Sequence, residues 1–184
     1  MPSSSIVTRP SQRPDSIEEI LSTLKRYDAS VIKDLEDYLQ DQHDNRYSDV
    51  NANLALLKLY ELSEEASVLR EDATIKALIK GLTKFSDQDF ALYLHLLPSS
   101  TLTSKTEYAT KIQNLVSLYE LLISNKFDDF VAKNKELGDL VSGDNFKAIE
   151  ETFNENKNSK FAVSEAVSET VPTSKLSKVI GQLL

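Results

Sequence analysis

The two histidines, His43 and His95, are the chain's only imidazoles, and neither has a second histidine four residues away. The HExxH zinc arrangement needs that spacing, because it puts two rings on one helical face. His43 falls in the polar stretch from Asp41 to Arg46, where a solvated ring is expected, and His95 falls in LYLHLLP, where a packed ring is expected. Cysteine is absent, which excludes disulfides, thiolate nucleophiles and cysteine zinc sites and fits a reducing compartment. Acids occur as neighbours at Glu18-Glu19, Glu64-Glu65, Glu71-Asp72, Asp128-Asp129 and Glu150-Glu151. Adjacent helical residues point about 100° apart, so such pairs solvate a face and do not converge on a substrate. Gly138 to Gly143 has the glycine spacing of a phosphate loop, but Asp144 stands where that loop carries lysine. No serine lies in a GxSxG elbow. The reading assigns no catalytic residue, no metal ligand and no cofactor.

Charge points the same way. The 184 residues carry a net charge of −8, and residues 1–14 contain Arg9 and Arg13 without an acid, leaving 19 basic against 29 acidic residues in the body. Nucleic-acid affinity comes largely from neutralising phosphates, so an acidic body argues against direct binding. Lys25-Arg26-Tyr27 is the nearest basic–aromatic cluster, and Asp28 follows it at once; a solvated helix end is expected there. The first 14 residues lack the apolar run of a secretory signal and hold Pro2, Pro10 and Pro14, so they read as a disordered tail.

The elements that would position any site all read as helices, with no period-2 run of β-branched residues. Ser16-Ile17-Glu18-Glu19 has the form of a capping box before the stripe Ile17, Ile20, Leu21 and Leu24. A second helix follows Asp28 or Ser30, with Val31, Ile32, Leu35, Tyr38 and Leu39 on one side. Val50 to Leu62, capped by Ser48 or Asp49, is apolar almost all round, since Lys58 is the only charge between Val50 and Tyr60. Such a helix must be covered on several sides, and it is too short to cross a bilayer. Ile75, Leu78, Ile79 and Leu82 define the next helix, and Phe90, Leu94 and Leu97 a short one stopped by Pro98. Ser99–Ser104 reads as a linker. The longest helix is expected over residues 105–124, on Tyr108, Ile112, Leu115, Val116, Tyr119, Leu122 and Ile123. Stripes at Phe127, Phe130, Val131 and Leu137, then Phe146, Ile149 and Phe153, precede a polar break at Asn154–Lys160 and a last amphipathic piece from Thr173. Stacked helical hairpins, as in TPR or HEAT arrays, and a compact bundle both satisfy this pattern.

Three stretches together resemble the subunit k family of translation initiation factor 3. They are Lys25-Arg26-Tyr27 leading into Leu35–Leu39, the run Asn51-Ala52-Asn53-Leu54-Ala55-Leu56-Leu57-Lys58-Leu59-Tyr60, and Ile75–Leu78 with Asp89–Leu92. The resemblance implies an all-α, PCI-type chain: antiparallel hairpins over residues 15–155, followed by a winged-helix region. The family continues the winged helix beyond the segment matching Thr173–Gly181, whereas this sequence ends at Leu184, so residues 156–184 are expected to form only part of it. It implies a non-enzymatic, cytoplasmic complex subunit, bound to other initiation factor 3 subunits, especially subunit l, and associated indirectly with the small ribosomal subunit. No membrane association is implied. The alternatives are a PCI subunit of the proteasome lid or the COP9 signalosome, and, in a different class, a helical RNA-binding module. The resemblance gives Asn51, Asn53, Leu54, Leu57, Lys58, Tyr60, Leu78 and Phe90 as a structural signature and leaves the partner-binding residues unassigned.

Overall fold

The computed structural model describes residues 9–63 and 69–166, and every regular element among them is helical. Helix α1 (Asp15–Ser22) leads through two 3-10 turns, Leu24–Tyr27 and Ala29–Val31, into α2 (Ile32–Asp44) and α3 (Val50–Leu62). Then follow α4 (Arg70–Thr83), a 3-10 turn at Phe85–Asp87, α5 (Asp89–His95), α6 (Ser99–Thr103), α7 (Glu107–Ile123), α8 (Phe127–Glu136) and α9 (Gly143–Ala166). The chain divides into two compact units, one up to Phe153 and one from Asn154. The core described here belongs to the first. The winged-helix expectation falls mostly on residues 167–184, which lie outside the described residues.

Neighbours in sequence pack as neighbours in space: α2 on α3, α4 on α5, α6 on α7 and α7 on α8. The α2–α3 pair is antiparallel, because Gln42 meets Asn53 while Glu36 meets Tyr60. The pairs are tied to one another where α2 meets α4, α3 meets α5 and α4 meets α7. One continuous apolar core results, running from Ile17 to Phe153. Helix α3 is at its centre, with Ala52, Leu56, Leu57, Leu59 and Tyr60 all buried. The enclosure expected from its composition is thus met by α1, α2, α4 and α5.

Helices α4 and α5 approach each other closely at Gly81. A Cβ added at Gly81 would lie 2.9 Å from the Phe90 Cα and 3.1 Å from the Tyr93 ring. Glycine therefore lets α5 lie directly on α4, where Phe90 and Tyr93 are fully buried. Phe90 stacks on Tyr119 of α7, with ring centroids 4.5 Å apart. A second aromatic cluster joins α8 to the first turns of α9, with Phe127 4.7 Å from Phe153 and Phe130 5.9 Å from Phe146. Offset ring contacts of this kind add to the area they bury.

Several local expectations are corrected. No capping box forms at Ser16: α1 begins one residue earlier, at Asp15, and Glu19, the acid that would complete the box, pairs with Lys25 instead. The expected connector from Asp41 is helical as far as Asp44, so α2 carries Gln42 and His43 into the interior. Ahead of α5, the 3-10 turn Phe85–Asp87 is closed by Gln88 in a left-handed conformation, φ 60°. Ser99–Thr103 forms a helical turn, and Thr106 caps α7 by accepting from the Ala109 N–H at 3.1 Å. Ile123, placed on the apolar stripe of α7, is 52% exposed, while the unexpected Leu118 is buried. The polar break at Asn154–Lys160 does not interrupt α9, which at 24 residues is longer than α7 at 17. No glycine or proline lies between Gly143 and Pro172 to stop it.

Candidate functional site

Of the tail expected over residues 1–14, residues 1–8 lie outside the described residues, and the remainder is anchored. The Arg13 guanidinium is only 6% exposed and grips Asp49, Nε to Oδ2 at 2.6 Å and Nη2 to Oδ1 at 2.7 Å. Its Nη1 donates to Glu18 Oε2 at 2.8 Å. Burial opposes the guanidinium charge, but the hydrogen bonds to Asp49 and Glu18 outweigh it and hold the arginine above its ordinary pKa. Asp49 also accepts from the Tyr38 hydroxyl at 3.0 Å and, as the N-cap of α3, from the Ala52 N–H at 3.3 Å. Tyr38 titrates well above a free tyrosine because it is buried and faces the Asp49 charge.

The seam continues inward. Gln42 Oε1 accepts from the Asp49 N–H at 2.8 Å and from Asn53 Nδ2 at 3.1 Å, while Gln42 Nε2 donates to Asn53 Oδ1 at 2.9 Å. Asn53 Nδ2 also reaches the Tyr93 hydroxyl at 3.3 Å. Residues preceding α1, together with α2, α3 and α5, are thereby held by one buried polar network. Buried polar groups are tolerated when they satisfy one another, and they then fix a single packing arrangement. The groups of the network are spent largely on each other.

The residues considered for chemistry are dispersed. His43 is half-buried on α2, and its Nε2–H donates to the Lys76 carbonyl at 3.1 Å. Desolvation, helped by the nearby Lys80 charge, pushes it down to about 4, so it is a neutral core contact and not the solvated ring expected. Lys80 is itself buried, which lowers it to about 8 against the pull of Asp144 and Asp44. His95 is exposed at the end of α5, with Nδ1 2.7 Å from the Ala91 carbonyl oxygen, which corrects its expected packing. Glu19 pairs with Lys25 at 2.6 Å and Asp72 with Lys76 at 2.6 Å. Glu64-Glu65 lies outside the described residues. Gly138 and Gly143 both adopt positive φ, and Asn134 clamps the loop between them through the Val141 N–H at 2.9 Å and carbonyl at 2.8 Å. That loop ends α8 and enters α9; its glycines are there for backbone conformation. Lys25-Arg26-Tyr27 forms an exposed 3-10 turn with Arg26 stacked over Tyr27, the solvated end that was expected. Among the described residues, no group of three or more His, Cys, Asp or Glu side chains could hold a metal ion. No helix among them is long and apolar enough to cross a membrane.

The signature residues fall on three helices that pack against one another. Asn51 and Leu54 are half-buried on α3, and Leu57 is 2% exposed. Lys58 reaches the surface and pairs with Glu61 at 2.7 Å. Tyr60 is buried against Glu36, with the Arg70 guanidinium 5.6 Å from its ring centre. Leu78 on α4 and Phe90 on α5 are fully buried. Asn53 joins the polar network directly. Its partners Gln42 and Tyr93, like Arg13 and the ion-pairing role of Asp49, escaped the sequence reading, for the contacts span 11 to 40 positions.

No family model matches the chain. Among curated proteins it is 40% identical over 126 residues to eukaryotic translation initiation factor 3 subunit K of Yarrowia lipolytica, covering 67% of this chain and 54% of that one. The subunit K of Pyricularia oryzae is 34% identical over 123 residues, covering 67% and 51%. That of Phaeosphaeria nodorum is 43% identical over 91 residues, covering 50% and 36%. The chain spans about half the length, or less, of these curated relatives. Over two thirds of its own length, this helical chain is similar to subunit K of eukaryotic translation initiation factor 3.

Proposed function

We propose that this chain is a non-catalytic subunit of translation initiation factor 3 that contributes protein–protein contacts in the cytoplasm during initiation. The 40% identity over 126 residues to a protein named as subunit K carries the reading. The geometry is consistent with it, since the buried polar groups lock the helices to one another. In this reading subunit l is the immediate neighbour and the small ribosomal subunit is reached through the rest of the complex. Residues 15–155 are the helical-repeat domain and residues 156–184 part of a winged-helix module of the PCI type. Asn51, Asn53, Leu54, Leu57, Lys58, Tyr60, Leu78 and Phe90 maintain the stack and are not themselves the docking surface.

Sedimentation tests the ribosomal part of this reading. In a fixed lysate resolved on a sucrose gradient, the tagged chain is expected in the fractions that contain the small ribosomal subunit. Sedimentation only with proteasome or signalosome particles, or as a free chain, would refute the assignment.

A further inference from the structure

Helices α1 and α2 leave a groove of about 410 Å³ between them. Its floor is apolar, formed by Ile17 and Ile20 of α1 and the ring of Tyr38, and its rim is formed by Asp34, Asp37 and Asp41. The three aspartates are exposed and spaced at i, i+3 and i+7, which places them along one face of α2. Among the described residues, no lysine, arginine or histidine lines the groove. Asp34 has no ion-pair partner among the described residues. Asp37 pairs with Lys33 at 3.0 Å, but both side chains are mostly exposed, and such a pair is weak and readily exchanged. Asp41 accepts from Asn45 and from the Tyr47 hydroxyl, neutral donors that leave its charge uncancelled. Arg9, in the segment before α1, pairs with Asp15 and Glu18 and does not line the groove.

We propose that this groove docks a basic amphipathic segment of a partner protein. Its apolar side chains lie on Ile17 and Ile20, and its lysines or arginines meet Asp34, Asp37 and Asp41. Charge complementarity selects a basic occupant. Residues 1–8 contain no lysine, arginine or histidine, whereas residues 173–184 carry Lys175 and Lys178 without an acid. Shifts at the groove on deleting residues 173–184, without peptide, would therefore overturn the proposal in favour of the chain's own segment. A second copy of the chain brings the same net charge of −8, and a phosphate backbone would meet three carboxylates. The inference does not depend on which assembly the chain joins, so it can fail while the initiation-factor reading stands, and the reverse.

The test uses the isolated full chain, isotopically labelled, titrated with a synthetic Lys/Leu amphipathic helical peptide and with its Glu/Leu counterpart. The Lys/Leu peptide is expected to shift backbone resonances of residues 16–20 and 34–41, and the Glu/Leu peptide to shift none. D34N/D37N is expected to weaken binding roughly tenfold. D128N/D129N, neutralising an exposed pair at the start of α8, leaves affinity unchanged. Equal weakening by both double variants, shifts spread over all acidic surfaces, or binding of the Glu/Leu peptide at the groove would overturn the proposal. Concentration-dependent shifts at these residues without peptide would also overturn it, since the groove would then belong to a second copy.

Discussion

Leu57→Asp is expected to leave the protein largely unfolded at physiological temperature. Leu57 is 2% exposed on α3, a helix packed against α2, α4 and α5. Truncating a buried leucine to alanine costs about 2–5 kcal/mol through lost burial and the cavity left behind. Aspartate adds an unpaired charge that the enclosure cannot solvate, so a loss above about 4 kcal/mol is expected. That is a large share of the roughly 5–15 kcal/mol that holds a domain folded. At about 2–4 °C per kcal/mol for a chain of this size, the circular dichroism melt should fall by ~10 °C or more. The adjacent Lys58→Ala is the control. Lys58 is 42% exposed and pairs with a glutamate that is 44% exposed, so its removal should cost under about 1 kcal/mol. Equal melting of the two variants would show that α3 is not enclosed as described.

The second large effect is expected at Arg13. Arg13→Met removes the partner of a carboxylate that is 1% exposed, leaving Asp49 charged inside the core. Breaking a buried pair from one side costs about 3–5 kcal/mol. The loss should appear as a lower urea midpoint with little change in slope. Asp49→Asn is expected to destabilise as well, by leaving the buried guanidinium without its counter-charge. The loss in the double variant should be well below the sum of the two single losses, because each single change leaves an orphan that the double change removes. Strict additivity would mean that Arg13 and Asp49 do not act as a pair. The expected loss at Arg13 also measures how firmly the residues before α1 are tied to the core.

These two sites differ in how far the sequence discloses them. Leu57 was legible: an apolar run broken only by Lys58 demands enclosure, and Asp49 before it is a recognisable helix cap. Local signals of that kind also placed α4 and α5 and the stripe on α7. Arg13 was not legible, because its meaning lies 36 positions away. Locally it stands between two prolines in a segment without acids, which reads as tail. Gln42 and His43 were misplaced for a related reason. Polar composition from Asp41 to Arg46 suggested a connector, yet α2 continues, burying Gln42 and half-burying His43, since their hydrogen-bond partners arrive from α3 and α4. Polar residues satisfied by distant partners are invisible to a periodicity argument, whereas apolar ones announce their burial.

Complex membership is tested most directly by affinity purification of the tagged full chain, followed by quantitative mass spectrometry. Subunits of initiation factor 3 should be recovered at near-equal stoichiometry, with subunit l foremost. Recovery of proteasome-lid or signalosome subunits in their place, with initiation factor subunits absent, would contradict it.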